Sequence, residues 1–300
     1  MQGRKREAGY CFSGNVYPGG KTMTGKLAAF AGSTPNIGTS LTAFGTAYRI
    51  AAQTGRRVGY LCLNLKSAKT HLYLGVDTPE VTLDGVRPEL RAGTLTGDKL
   101  RQYAFRSPKL GGLHVLFGNM AREQAEYYEP EDMIRLLQAS RDAFDLTIAD
   151  VSAYWDNAAT ICAMREADSK FLVTTNHLSH FQEDIHRWTG QVGSQFGIDP
   201  EQFQLVLLQG THRTTGGFQV KEIRKETSCN SFTELKLTES VHLQLDSGRL
   251  DEWLAAEERN AAIFDAVANP LISKLNWSHR LQKTERPWLR RLMVHRRRGQ

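Results

Sequence analysis

Residues 26–53 constrain this chain more than any other stretch. Lys26-Leu-Ala-Ala-Phe-Ala-Gly32 is a continuous apolar run that predicts a buried strand. Ser33-Thr-Pro-Asn-Ile-Gly38-Thr39-Ser40 follows as a turn, and Leu41–Gln53 has the spacing of an amphipathic helix. A strand, a Gly-bearing turn and a helix N-terminus form a cradle of backbone N–H groups suited to phosphate. Loops of the type G-x-x-x-x-G-K-[ST] place a Lys between the last Gly and the hydroxyl residue, where it reaches the β- and γ-phosphates. Here that position holds Thr39. The cradle residues are Ser33, Thr34, Asn36, Ile37, Gly38, Thr39 and Ser40, and the charge expected among them is missing.

Short apolar strands alternate with helical patterns along the rest of the chain. Strands are expected at 57–64, 113–118, 145–150, 170–175 and 204–209, with further short elements near 232–237 and 242–245. Helices are expected over 129–144, 179–196 and 250–275, and loops over 119–128 and 210–217. This alternation predicts an α/β fold, a doubly wound and mostly parallel sheet of the P-loop NTPase type. The chain divides into a leader (1–23), the α/β domain (24–247), a C-terminal helix (248–276) and a basic amphipathic tail (277–300).

The net charge of +6 is unevenly spread. Residues 274–300 hold nine Lys and Arg against the single acid Glu285, which leaves the remainder mildly acidic. No apolar run approaches the roughly 20 residues of a membrane span. The basic start Met1-Gln-Gly-Arg-Lys-Arg lacks the apolar segment of a signal peptide. The four cysteines are scattered without a C-x-x-C pair; Cys62 and Cys162 sit in apolar segments as small hydrophobes. A cytoplasmic location is the expectation. His177 and His180 lie beside Glu183 and Asp184, and a polar helix start explains them better than a metal site.

Four segments in order resemble the MinD/ParA family of P-loop ATPases over residues 24–247, within it the degenerate pilus-localisation branch (CpaE/TadZ-like). The family loop reads K-G-G-x-G-K-[ST]. Its signature Lys falls on Thr34, its first two glycines on Pro35 and Asn36, its third on Gly38, its second Lys on Thr39 and its hydroxyl on Ser40. The acids that end the next strand of the family fall on Cys62 and Asn64 in Leu61-Cys-Leu-Asn64. Phe144-Asp-Leu-Thr-Ile-Ala-Asp150 resembles the Walker B strand, and Ala167-Asp-Ser-Lys-Phe-Leu-Val-Thr-Thr175 resembles the family's A-D-x-hydrophobic-L-V-T strand.

The resemblance implies ATP and Mg²⁺ as ligands, with Ser40 and Asp150 on the metal side and Gln209 near the base. It also implies a homodimer. Asn64 stands where a carboxylate helps orient the attacking water, and an amide cannot act as a base. Two lysines and two acids are gone from a reaction that runs on positioning and electrostatics, so hydrolysis is expected to be impaired. Backbone N–H groups and the helix dipole hold phosphate without a Lys, although Pro35 removes one donor.

In the tail, Pro287 suits a first helical turn. Trp288, Leu289, Leu292 and Met293 share one face, flanked by Arg286, Arg290, Arg291, Arg296, Arg297 and Arg298. A basic amphipathic helix with an edge Trp fits an anionic membrane surface or an acidic protein partner better than nucleic acid, and resembles the membrane-targeting helix that ends MinD. The combined expectation is a positioning or scaffolding factor at the cytoplasmic membrane face, for a pilus or secretion assembly. The alternatives are a slow ATPase drawing its charge from Lys66 or Lys69, and a DNA-associated partition protein.

Overall fold

The computed structural model describes residues 25–180, 184–209, 218–227 and 231–280. Its strands are β1 (Lys26–Gly32), β2 (Val58–Leu63), β3 (Phe105–Arg106), β4 (Leu113–Leu116), β5 (Leu146–Val151), β6 (Ser169–Thr175), β7 (Phe203–Gln209) and β8 (Ser231–Lys236). They form one sheet in the order β3-β4-β2-β5-β1-β6-β7-β8, and β3 alone among them runs antiparallel to its neighbour. β2 and β5 are buried along their whole lengths and β1 along all but Lys26, as a parallel sheet covered on both faces requires.

The helices are α1 (Thr39–Thr54), α2 (Thr70–Tyr73), α3 (Leu83–Ala92), α4 (Gly97–Tyr103), α5 (Pro130–Ala143), α6 (Ala158–Glu166), α7 (Asp184–His186), α8 (Gly193–Gln195), α9 (Val220–Glu226), α10 (Glu239–Asp246), α11 (Leu250–Ala256), α12 (Glu258–Ala262) and α13 (Asp265–Lys274). One sheet face carries α3–α6 and Trp188, whose Leu83, Leu90, Leu100, Leu136 and Met164 share a core with Leu61 and Ala149. The other carries α1 and α11–α13, with Phe44, Ile50, Leu254, Phe264 and Ile272 packed on Phe30, Tyr60 and Ile148. The helices after residue 247 therefore share the core of the α/β domain.

Several local readings change. The helical stretch 250–275 is three helices. Glu257, in extended conformation (φ −142°, ψ 136°), separates α11 from α12. The helix over 179–196 is irregular, with a π turn at Arg187–Val192 between α7 and α8. Residues Arg122–Tyr127, read as loop, form a 3₁₀ helix, and α10 is the helical element near 242–245. α3, α4 and α6 join the helices already expected. The leader to residue 24, the loop 210–217 and the tail residues 281–300 lie outside the described residues, so the calls on Arg286, Trp288, Leu289, Arg290, Arg291, Leu292, Met293, Arg296, Arg297 and Arg298 do as well.

The chain around Trp277 docks instead of trailing away. Its backbone N–H donates to Ile272 O at 3.1 Å, and the Arg56 guanidinium lies 4.5 Å from its ring centroid. Lys274 Nζ donates to Asp168 O at 2.9 Å and to Ser169 Oγ at 2.8 Å. Cys62 and Cys162 are free and buried, as their surroundings led us to expect.

α1 is buried continuously from Leu41 to Ala51, including Arg49. Arg49 answers that burial with a fork: Nε donates to Asp265 Oδ1 at 2.5 Å, Nη2 to Asp265 Oδ2 at 3.0 Å and Nη1 to Glu258 Oε1 at 2.6 Å. Beside it, Gly45 leaves room for Phe264; a Cβ there would fall 2.3 Å from the ring. Gly to Ala in a helix interior ordinarily gains about 1 kcal/mol. At Gly45 the overlap is expected to reverse the sign, with Gly45→Ala costing about 1–3 kcal/mol in urea unfolding. A gain in stability would show that α13 does not pack this closely.

Candidate functional site

The sheet order places the site. From β1 the chain crosses to one side for β2 and β4 and to the other for β6, β7 and β8, so a crevice opens at the carboxyl ends of β1, β5 and β2. A cavity of about 460 Å³ occupies it. Thr34, Pro35, Asn36, Ile37, Gly38, Thr39, Ser40 and Leu41 form its floor. The loop after β2 contributes Asn64, Lys66, Ser67 and Lys69, and the loop after β5 contributes Ala153 and Tyr154. Arg122, Tyr73 and, from α10, His242 and Asp246 complete the wall.

The loop between β1 and α1 holds two residues in the left-handed region, and only one of them is Gly. Gly38 has φ +102°, and a Cβ there would also fall 2.9 Å from Leu208 Cδ1, so Gly is required. Asn36 has φ +61°. Asn tolerates the left-handed region better than any other residue with a Cβ except Asp, and so stands in where the pattern has Gly. The Thr39 side chain sits against the end of β1: a Cβ on Gly32 would lie 2.6 Å from Thr39 Oγ1. α1 begins at Gly38 with no side-chain cap and no acid in its first turn, leaving its first N–H groups and dipole directed at the cavity.

Ser33 is committed elsewhere. Its N–H donates to Val173 O at 2.7 Å, its hydroxyl to Thr174 Oγ1 at 3.0 Å, and its carbonyl accepts from Trp188 Nε1 at 3.3 Å. It anchors the loop to β6 and does not line the cavity. Gln209, at the end of β7, also lies off the cavity and donates to Glu234 on β8 at 3.3 Å. His180 Nδ1 is 2.8 Å from Thr175 Oγ1. Among the described residues no group of three or more His, Cys, Asp or Glu could hold a metal.

Asp150 lies beneath the loop, fully buried at the end of β5. Tyr60 donates its hydroxyl to Oδ2 at 2.8 Å, and Tyr60 is 3.3 Å from Thr70 Oγ1. Oδ1 is buried without a hydrogen bond of ordinary geometry. Burial pushes the Asp150 carboxyl up to about 6, with the facing hydroxyls of Ser40 and Tyr60 pulling the other way. The same surroundings hold the Cys62 thiol up at about 11, through burial first and the Asp150 charge second. Ser40 and Asp150, 110 residues apart in sequence, are thus brought together, the pair that the resemblance singled out. Tyr60 and Thr70 were missed from the sequence, although a Tyr inside a wholly apolar strand carries a hydroxyl that needs a partner. Arg122, Tyr154, His242 and Asp246 had no sequence signal, because separate loops and α10 bring them to the cavity.

No family model and no curated protein matches this chain. Solved structures do. A ParA family ATPase from Chlorobium tepidum aligns over 81% of this chain and 98% of its own, with TM-score 0.69 and 17% identity. MinD from Pyrococcus furiosus aligns over 84% and 99%, with TM-score 0.63 and 21% identity. MinD from Pyrococcus horikoshii, complexed with Mg-ADP, aligns over 82% and 95%, with TM-score 0.64 and 16% identity. The fold is that of the MinD/ParA P-loop NTPases.

The carboxyl of Asp150 holds a proton more tightly folded than unfolded, where its ordinary value is 3.8. The stability this gives is fully present below about pH 4 and is lost as pH rises through about 6. Asp150→Asn keeps an acceptor for Tyr60 and removes the buried charge. It is expected to stabilise the ligand-free protein by about 1–3 kcal/mol at pH 7.5 and to flatten its stability profile between pH 4 and 6. Parallel profiles for the two proteins would refute this reading of Asp150.

Proposed function

We propose that this chain is a MinD/ParA-like positioning or scaffolding factor whose site binds adenine nucleotide weakly and hydrolyses it poorly. The observation that carries the reading is the cavity itself: cradle backbone, Ser40 and Asp150 are kept together, while Thr39 and Asn64 stand where hydrolysis needs charge. A buried carboxylate oxygen without a partner, facing a hydroxyl at a helix N-terminus, suits a hydrated divalent cation. The Mg-ADP complex of the Pyrococcus horikoshii protein supports the same choice. Ser40 and Asp150 would hold Mg²⁺, which when bound neutralises phosphate charge. The N–H groups of Gly38, Thr39 and Ser40 take the phosphate, and Asn64 leaves the attacking water without a base.

Loss of turnover with retention of binding suits a protein that reports its nucleotide state to a partner. A second copy across the cavity face and an anionic membrane under the tail are the partners we favour, for a pilus or secretion assembly. A MinC:MinD complex from Aquifex aeolicus (12% identity) shows that a protein of this fold assembles with another chain. Among the described residues no helix is long and apolar enough to cross a membrane, so contact would be peripheral, through residues 281–300. A slow ATPase is the second reading, favoured by one observation: Lys66 and Lys69 both line the cavity.

Calorimetric titration of ATP and ADP into the full chain tests the site. Binding at micromolar to submillimolar concentration, stronger with Mg²⁺ and weakened by Asp150→Ala, is expected. No heat at millimolar nucleotide would reduce the loop to a relic. Co-sedimentation with vesicles containing anionic lipid tests the tail: full chain in the pellet and residues 1–280 in the supernatant is the expected outcome. Equal pelleting of the two would remove the membrane contact from the tail.

A further inference from the structure

The strand pairing that builds the cavity also sets two loops side by side. β2 and β5 run parallel with Cys62 opposite Asp150 and Leu63 opposite Val151, so residues 64–69 and 152–157 leave adjacent strand ends. β5 in turn borders β1, whose loop is the cradle. Across this junction the Lys66 ammonium pairs with the Asp156 carboxylate and lies 5.4 Å from the centroid of the Tyr154 ring. Lys66 and Tyr154 both line the cavity. The Lys66 side chain is 23% exposed and that of Asp156 is 52% exposed, which puts the ion pair at the cavity mouth. Asp156 is also held by Asn157 Nδ2, at 3.4 Å. Asn157 itself is fixed as the cap of α6, accepting from Thr160 N–H at 2.9 Å.

We propose that Lys66 is the phosphate-binding cation that the loop lacks, and that Asp156 holds it in a withdrawn, neutralised position until a polyphosphate displaces the carboxylate. This rests on the reading of the cavity as a nucleotide site. A Lys at residue 39 would reach the phosphates from below; Lys66 reaches them from the side, on a flexible stem of four carbons. In its present pairing its charge is cancelled, so Lys66 offers the cradle no free positive charge. An ion pair this exposed is held loosely, and a triphosphate presents several negative charges against the single one of Asp156. Asp156 is therefore a competitor for the site, built into the chain beside it. Lys69 and Arg122 also line the cavity, and among the described residues neither is paired with a carboxylate.

The test is Mg-ATP calorimetry on four full-length proteins: wild type, Asp156→Asn, Lys66→Gln and the double variant, each checked for unchanged thermal unfolding. Asp156→Asn is expected to tighten ATP by about two- to fivefold, the strength of an exposed ion pair. Lys66→Gln is expected to weaken it by about tenfold, the size of a charge-assisted phosphate contact. In the Lys66→Gln background, Asp156→Asn is expected to change nothing. Should either variant unfold, Asp156→Ser and Lys66→Met replace it. An unaltered affinity in Lys66→Gln, with wild type binding, would overturn the assignment of Lys66 and leave the nucleotide site standing. So would equal tightening by Asp156→Asn with and without Lys66, since the effect would then be general electrostatics. Absence of binding in all four proteins would overturn both readings together.

Discussion

The position of α1 is the constraint on which the rest of the structure depends. Its N-terminus is the cradle, and eleven consecutive residues behind it are buried. Within the helix the guanidinium of Arg49 meets Asp265 and Glu258, more than 200 residues away. Gln53 Nε2 adds a bond to Asp265 Oδ1 at 2.9 Å, and Gly45 admits the Phe264 ring. The C-terminal helices thus clamp α1 against the sheet. What resembles an appendage along the sequence is part of the packing that holds α1 in place.

The clamp also bears on the shape of the loop, which carries no lysine between Ser33 and Ser40. The cradle path is set by φ at Asn36 and Gly38, by the Ser33 bonds to β6 and by the fixed start of α1. None of these needs a charged side chain. Phosphate charge in such a site is ordinarily met by a Lys that folding does not require, so the Lys can be lost at little structural cost while the glycine geometry cannot. Asp150 runs the other way. It is costly to the fold, since burial works against its charge, yet it is present. A buried carboxylate that works against stability supports the binding role proposed for it, an argument that Thr39 and Asn64 do not offer.

The fold was legible in the sequence to the extent that burial was. Strands such as Lys26–Gly32 and Val58–Leu63 are apolar on both faces beyond their first residue, and that pattern is independent of what surrounds them. α5 was legible at its start, where Pro130 sits in the first turn and Asp132 follows to meet the Glu129 N–H at 3.4 Å. α3 was not. Its apolar residues Leu83, Val86 and Leu90 have helical spacing, but Pro88 lies inside it and reads as a stop. The break between α11 and α12 rests on an extended Glu257, a residue type that signals helix.

The site was legible where one segment carries it and opaque where two strands bring it together. Thr34–Ser40 could be read as a cradle because strand, turn and helix are contiguous. Ser40 and Asp150 could be joined only through the resemblance, and Lys66 with Asp156 not at all, since their meeting depends on β2 lying beside β5. That adjacency is a property of sheet order, which neither hydrophobic period nor local motif encodes. In a doubly wound sheet the crevice belongs to several strand ends at once, so a cation lost from one loop is replaceable from the next without any change in the core.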